Sequence, residues 1–193
     1  HDWKFQYQDA LAKGIDLINI GDLDKLVLAT RQLLLLRQPL DPLKLLARLR
    51  VQQANSCRFL WQKNNDESFF GASPERLISL NQNHLLIDAL AGTAKKDDDG
   101  NELLASSKDL REHHFVVNSI VEELLRNGIN ASYQSQPKLI TQGHLIHLHT
   151  LIQAFVKNKL PLSLVEALHP TPAVAGLPLG KSLSWLRALE PFD

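Results

Sequence analysis

RFLWQKNNDESFFGASPERLISLNQNHLLIDALAGT, residues 58–93, contains four short apolar segments separated by polar turns. The segments RFLWQK, SFFGAS, RLISL and HLLIDALAGT are rich in Phe, Leu and Ile, a composition typical of β-strands. The Asn and Asp residues of NND and NQN, which lie between segments, favour turns. Short strands joined by short turns predict an antiparallel meander.

Helical patterns lie on both sides of these strands. Asp41 is the predicted N-cap of a helix within 41–55, with Pro42 at its first position. A longer helix within 106–128 has apolar residues at helical spacing and ends at Gly128. Further helices are predicted over 5–20, 162–168 and 181–190. Further strands are predicted over 138–149 and over 26–29, where a helix is the alternative. The predicted fold class is α+β, with mostly antiparallel sheets flanked by helices.

The charge and cysteine content exclude several classes of function. The 193 residues include 21 basic and 21 acidic side chains, so there is no electrostatic case for binding nucleic acid or a membrane surface. The longest apolar run, LLLL at 33–36, is far shorter than a membrane span. The single cysteine, Cys57, excludes an internal disulfide and is expected to be a small core residue in a reducing compartment. We therefore predict a cytoplasmic protein, or a plastid protein if the source is a plant.

The two ends of the sequence have the character of cuts. The chain begins with His1, contains no methionine and stops at LRALEPFD without a polar tail. We expect residues 1–193 to be part of a single domain that is truncated at both ends.

Lys25 and Glu75 are two charged residues in unusual positions. Lys25 begins an apolar strand, where a lysine at the rim of a sheet that reaches to water is the ordinary interpretation. A desolvated lysine would instead lose its charge more easily and could act as a base. Glu75 follows Pro74 between two apolar segments, and taken alone it is a solvated turn carboxylate.

Asp109 and Glu112 are three residues apart in the long predicted helix and therefore share a face. They lie to one side of the apolar stripe of that helix, which predicts that they face water or a wet cleft. One interpretation is a solvated helix flank, since acids in the first turns are favoured by the helix dipole. The other is a pair of Mg²⁺ ligands, with water and substrate oxygens completing the coordination shell.

Two other polar clusters do not match the pattern of a metal site. KKDDDGNE, residues 95–102, lacks the glutamate that a calcium loop needs at the twelfth position after its first aspartate, and is predicted to be a solvated loop. His144, His147 and His149 lie on a strand-like segment with apolar neighbours, which favours packed or substrate-facing histidines over a zinc site.

Six blocks of sequence occur in the order GDLDKLVLA, FFGASPERL, ALAGT, SSKDLREHHFVV, HLHTLI and LHPTPAVAGLP. Taken together and in this order, they resemble the chorismate-utilising enzymes, which include isochorismate, salicylate, anthranilate and aminodeoxychorismate synthases. The resemblance extends over almost the whole chain and implies part of the chorismate-binding fold of anthranilate synthase component I.

Two positions and one loop make the chain similar to the isochorismate synthases within that family. Lys25 matches the lysine of members that add water, whereas members that use ammonia have glutamine there. Ala91 stands where aminodeoxychorismate synthases of the covalent type have a lysine, and LHPTPAVAGLP looks like the isochorismate synthase form of its loop. Ala175, where glycine is usual, and Thr30, where arginine is common, depart from the pattern.

The resemblance implies a Mg²⁺-dependent isomerisation of chorismate to isochorismate, in which water adds at C2 and the C4 hydroxyl leaves. Lys25 would be the base that activates water, and Glu75 the general acid for the leaving hydroxyl, so the two should face each other across a substrate-sized gap. The other residues that the resemblance assigns are Ala91, Gly92, Thr93, His147 and Thr171 for substrate, and Glu112 with Asp109 for the metal.

Two alternatives stay open at this point. A salicylate synthase performs the same step and then eliminates pyruvate, and a truncated fragment could be non-catalytic. The product would enter menaquinone, phylloquinone or catechol siderophore synthesis. Because relatives continue past the end of this sequence with further substrate and metal residues, we expect the 193-residue chain alone to be inactive and its sheet to have exposed edges.

Overall fold

The computed structural model describes residues 3–96, 100–157 and 161–190. The chain forms two compact units, one from His1–Leu35 with Pro170–Asp193 and the other from Leu36–His169. Within the described residues, no helix is both long enough and apolar enough to cross a bilayer. The prediction of a single domain stays a prediction.

The first unit joins the two ends of the sequence. It contains helix α1 (Trp3–Asn19), strand β1 (Lys25–Leu26), strand β9 (Gly176–Leu177) and helix α6 (Leu179–Leu189). Strands β1 and β9 form a two-stranded antiparallel sheet. Asp22 links the connection between α1 and β1 to α6, because its carboxylate accepts hydrogen bonds from Lys181 Nζ at 2.5 Å and from Trp185 Nε1 at 3.1 Å.

The second unit begins with a helix and a separate strand pair. Asp41 caps helix α2 (Pro42–Gln52), because its Oδ1 accepts hydrogen bonds from the backbone of Leu43 and Lys44, as predicted. Strands β2 (Cys57–Gln62) and β3 (Ser68–Ser73) then form a two-stranded antiparallel sheet.

The larger sheet of the second unit has five antiparallel strands. They are β4 (Ser79–Asn81), β5 (His84–Lys95), β6 (Ala131–Ser132), β7 (Lys138–Gln142) and β8 (Leu145–Phe155). Strand β8 pairs with β5 along one edge, and with β6 and β7 along the other. Helices α3 (Gly100–Ala105) and α5 (Pro161–Leu168) complete the unit together with α4 (Ser107–Arg126).

Helix α4 covers one face of this sheet, because every third or fourth side chain on it is apolar. Ser106 caps its first turn. Gly128, with φ of +72°, follows its last turn, as predicted. The side chains that form the core between helix and sheet are less than 5% exposed; among them are Ile87, Ala89, Val116, Ile120, Leu148 and Ile152.

Four predictions about elements or burial are wrong. The four segments of residues 58–93 form no single meander, since β2–β3 and β4–β5 belong to different sheets. The predicted strand over 138–149 is two strands, because Gly143 adopts φ of +58° and reverses the chain. Cys57 is exposed, because it starts a strand of the two-stranded sheet rather than a core strand. Of the polar loop 95–102, Lys95 ends β5 and Gly100 begins α3, while 97–99 lie outside the described residues.

Candidate active site

Glu75 lies in the connection between β3 and β4, where the chain passes from one sheet to the other. This connection follows the free edge of β5 beyond the last β4 pair, Ser79 with Leu86. In an antiparallel strand, the N–H groups of alternate residues point to the same edge. The N–H of Asp88 donates to the carbonyl of Arg76 at 3.1 Å, and the N–H of Leu90 donates to Glu75 Oε1 at 3.3 Å. The side-chain carboxylate thus takes the place that a backbone carbonyl would have in a continuing ladder.

A cavity of about 410 Å³ in the second unit has Glu75 in its wall. Polar side chains from several strands also line it, including Cys57 of β2, Asp88 of β5 and His149 of β8. Gln142 also lines it and donates from Nε2 to the carbonyl of Pro74 at 3.2 Å. The hydroxyl of Ser73 donates to the Glu75 carbonyl at 3.1 Å. The loop that contains Glu75 is therefore fixed on both sides of that residue.

Asp88 is the centre of an ionic cluster in this cavity. Its carboxylate accepts from Arg76 Nε and Nη2, both at 3.1 Å, and lies 2.9 Å from His149 Nε2. Burial alone would raise the pKa of the Asp88 carboxyl, but the hydrogen bond from His149 and the charge of Arg76 outweigh it and hold that pKa below its ordinary value. The carboxylate therefore stays ionised although its side chain is only 14% exposed.

Gly92 is the extra residue of a β-bulge in β5. Ala91 pairs with Leu148 and Thr93 pairs with His147, so one residue of β5 has no counterpart on β8. The bulge moves Thr93 to the face of the sheet on which His147 and His149 lie. Thr93 Oγ1 and His147 Nδ1 are 2.9 Å apart, and burial lowers the pKa of His147. Two residues predicted to bind substrate are thus in direct contact.

The predicted metal ligands are on the first turns of α4. Asp109 lies beside the bulge, since a Cβ added to Gly92 would be 3.4 Å from its Cβ. Lys108 Nζ is 3.6 Å from Asp109 Oδ1, and Glu112 is half-buried one turn further along. Within 3–96, 100–157 and 161–190, no three His, Cys, Asp or Glu side chains meet as a metal cluster. A pair of carboxylates still fits Mg²⁺, which commonly takes one or two carboxylates and completes its shell with water and substrate oxygens.

Lys25 is half-buried in the first unit and is held to the LHPTPAVAGLP segment. It pairs with Leu177, and the carbonyl of Ala175 accepts from the N–H of Val27 at 2.9 Å. Gly176 has φ of +146°, and a Cβ there would overlap the Lys25 carbonyl. The structure therefore joins two motifs that are about 150 residues apart in the sequence. Ala175 is accommodated there, since its backbone N–H and its carbonyl both form hydrogen bonds.

Thr171 is buried in the same loop, where it organises a turn. Its Oγ1 accepts from the Ala173 N–H at 3.3 Å, and its carbonyl accepts from Val174 and Ala175 at 3.1 Å each. A contact of Thr171 with substrate stays a prediction. So does the opposition of Lys25 and Glu75, since they belong to different units.

Sequence reasoning missed Arg76, Asp88, Gln142 and His149 as members of the cavity that contains Glu75. Asp88 had a usable signal, because it is a lone acid inside the apolar run LLIDALA, and a charge in such a strand needs a partner. The partners themselves come from β8 and from the loop before β4, and no local pattern joins those segments.

The sequence model of a family described as "Chorismate binding enzyme" matches residues 2–193. The chain belongs to this family. Isochorismate synthase EntC of Escherichia coli strain K12 is 32% identical over 195 residues, which cover 97% of this chain and 50% of that protein. The chain thus spans about half the length of this curated relative of the chorismate-binding family.

Two solved structures confirm the predicted fold class as part of the chorismate-binding fold. The menaquinone-specific isochorismate synthase MenF of Escherichia coli superposes with a TM-score of 0.86 and 27% identity, over 99% of this chain and 46% of that one. Anthranilate synthase component I of Streptococcus pneumoniae TIGR4 gives a TM-score of 0.78 over 96% of this chain and 42% of that one; its 20% identity supports the fold alone.

Proposed function

We propose that the intact protein, meaning the natural gene product that contains this chain, is an isochorismate synthase. One observation carries the proposal most directly: the Glu75 carboxylate lies in the wall of a cavity with its Oε1 fixed by the Leu90 N–H. A general acid must be held in a defined direction, and this hydrogen bond provides that. Membership in the chorismate-binding family and the isochorismate synthases among its relatives support the assignment.

In the proposed reaction, the Lys25 side chain is the base that takes a proton from water as the water oxygen forms a bond to C2 of chorismate. The ring double bonds shift and the C4–O bond breaks. Glu75 gives its proton to the departing C4 hydroxyl, which leaves as water. One water enters and one leaves, so the net reaction is an isomerisation. Each acid–base contribution is expected to be worth roughly 10²–10⁴ in rate.

The substrate's ring carboxylate would lie against the bulge of β5. Gly92 lets the backbone of Ala91 and Thr93 come close to a ligand, since it has no side chain. His147 would donate or accept a hydrogen bond there in its neutral form, because burial lowers its pKa. The Thr93 hydroxyl, 2.9 Å from His147 Nδ1, would fix the orientation of the imidazole.

Chorismate is a dianion and needs compensating charge. When bound, Mg²⁺ supplies that charge, and Glu112 with Asp109 as an outer ligand would hold it.

We place the reaction in the reducing cytoplasm, or in a plastid for a plant source, on the basis of the single cysteine. Menaquinone, phylloquinone or catechol siderophore synthesis would consume the product.

Identification of the product tests the proposed function. The intact protein is incubated with chorismate and Mg²⁺, and the products are separated by liquid chromatography and identified by NMR. We expect isochorismate. Salicylate with an equal amount of pyruvate would show a salicylate synthase instead, and an aminated product formed with ammonia would overturn the assignment of Lys25.

Two substitutions in the intact protein test the assigned roles. We expect Lys25→Ala and Glu75→Gln each to lower kcat by about 10²–10⁴. Lys13→Ala and Glu67→Gln are matched controls, because both side chains are exposed in i,i+4 ion pairs, with Asp9 and Lys63. Full activity of either active-site variant would remove that residue from its proposed role.

A further inference from the structure

We propose that Asp88 is a positioning residue for Glu75, acting through Arg76 and His149. The proposal rests on the proposed function, since it takes Glu75 as the general acid. The role assigned to Asp88 is indirect: it holds the chain next to Glu75 through Arg76 and orients His149, another side chain of the cavity wall.

Asp88 holds Arg76 at both its backbone and its side chain. The Asp88 N–H donates to the Arg76 carbonyl at 3.1 Å, while the Asp88 carboxylate accepts from the guanidinium Nε and Nη2. Such a two-point bond between a planar guanidinium and a carboxylate fixes direction as well as distance. Because Arg76 is the next residue after Glu75, this bond limits where the Glu75 backbone can lie.

The same carboxylate orients His149 on the neighbouring strand. His149 Nε2 is 2.9 Å from Asp88 Oδ1, and because an ionised carboxylate can only accept, Nε2 is the donor of this hydrogen bond. His149 pairs with Leu90, the residue whose N–H holds Glu75 Oε1. Asp88 therefore supports the Glu75 site from two sides: along the chain through Arg76, and across the sheet through His149.

An ion pair that only stabilises the fold would have a different effect from one that positions a catalytic group. Loss of a purely structural pair lowers stability and leaves the turnover of the folded enzyme unchanged. Loss of positioning lowers kcat, because a displacement of about 1 Å can cost about 100-fold in rate, and it leaves substrate affinity nearly intact.

The experiment measures kcat, KM and the unfolding temperature of the intact protein with Asp88→Asn and with Arg76→Lys. Arg76→Lys keeps the positive charge but cannot make the two-point bond. We expect both variants to lower kcat about 10- to 100-fold, with KM within about 2-fold. Asp66→Asn, an exposed aspartate in the β2–β3 turn, is the matched control and should behave as wild type.

A double-mutant cycle with Glu75→Gln, followed over long incubations, decides whether the effect acts through Glu75. We expect Asp88→Asn to reduce the residual turnover of Glu75→Gln by less than about 2-fold. The proposal is overturned if the two losses multiply, or if both Asp88→Asn and Arg76→Lys keep wild-type kcat. Full activity of Glu75→Gln alone would instead overturn the acid assignment itself, which is a distinguishable result.

Discussion

His113 is an ionisable side chain kept neutral inside the second unit. It is 1% exposed, and its Nε2 lies 2.8 Å from Thr150 Oγ1 on β8. Burial lowers the pKa of His113 to about 4, against the smaller opposing effect of the Ala91 backbone. Since the unfolded chain has an ordinary histidine pKa, the unfolded state binds more protons than the folded state between about pH 4 and 6.5.

Stability should therefore fall as the pH is lowered through this window. We expect His113 to account for a loss of about 2 kcal/mol in the free energy of unfolding between pH 7.5 and pH 5. His113→Gln, which does not titrate and can still hydrogen-bond Thr150, should remove that loss. Urea unfolding at the two pH values measures it, and exposed His114→Gln is the control. Equal pH dependence in wild type and His113→Gln would contradict the prediction.

At the scale of single residues, periodicity predicts which side of a helix is apolar but leaves neighbours ambiguous. The apolar pattern of α4 does not by itself distinguish the neighbours His113 and His114. The structure buries the first and exposes the second, because successive residues are rotated by about 100°. The position of Glu75 could be predicted from its motif, but its hydrogen bond to Leu90 could not, since that bond joins residues 15 apart through a side chain.

At the scale of elements, the strand over residues 84–93 could be predicted, but its bulge could not. One extra residue in a strand leaves its composition unchanged and moves every later side chain to the opposite face. Gly92 has φ of +80°, and a Cβ there would be 3.1 Å from Leu148 Cδ1, a side chain with no exposed surface. The bulge therefore needs glycine both for its backbone conformation and for space.

Gly92→Ala and Gly21→Ala separate these two requirements. Gly21 has φ of +75° with nothing within 4 Å of an added Cβ, so alanine there should cost only backbone strain, about 1 kcal/mol of unfolding free energy. Gly92→Ala should cost about 2 kcal/mol or more, because Leu148 must also move. Urea unfolding of both variants measures the difference, and equal losses would show that the contact with Leu148 is unimportant.

At the scale of the whole molecule, the order of the six sequence blocks was enough to predict the fold, as the superposition on MenF confirms. The opposition of Lys25 and Glu75, which the same resemblance implies, stays a prediction, since the two residues belong to different units. Large apolar side chains also remain exposed on the β2–β3 pair, such as Trp61 at 61% and Phe69 at 65%. Patches of this kind commonly mark surfaces that other protein segments cover.

The 193-residue chain, about half the length of its curated relatives, is expected not to convert chorismate by itself. We base this expectation on the part of those relatives that the chain does not cover, where the resemblance implies further substrate and metal residues. The chain and the intact protein are incubated side by side with chorismate and Mg²⁺, with circular dichroism as the check that helices are formed. Isochorismate produced by the isolated chain would contradict this prediction.

The hydrogen bond between the Leu90 N–H and Glu75 has a consequence for genetic variation. The donor belongs to the backbone, so nineteen of the twenty residue types provide it at position 90 and only proline removes it. A mutational scan would therefore record position 90 through the burial of its side chain, which is 7% exposed, and would miss its hydrogen bond in every variant except Leu90→Pro. Most substitutions at position 90 therefore leave the hydrogen bond that orients Glu75, the proposed acid, in place.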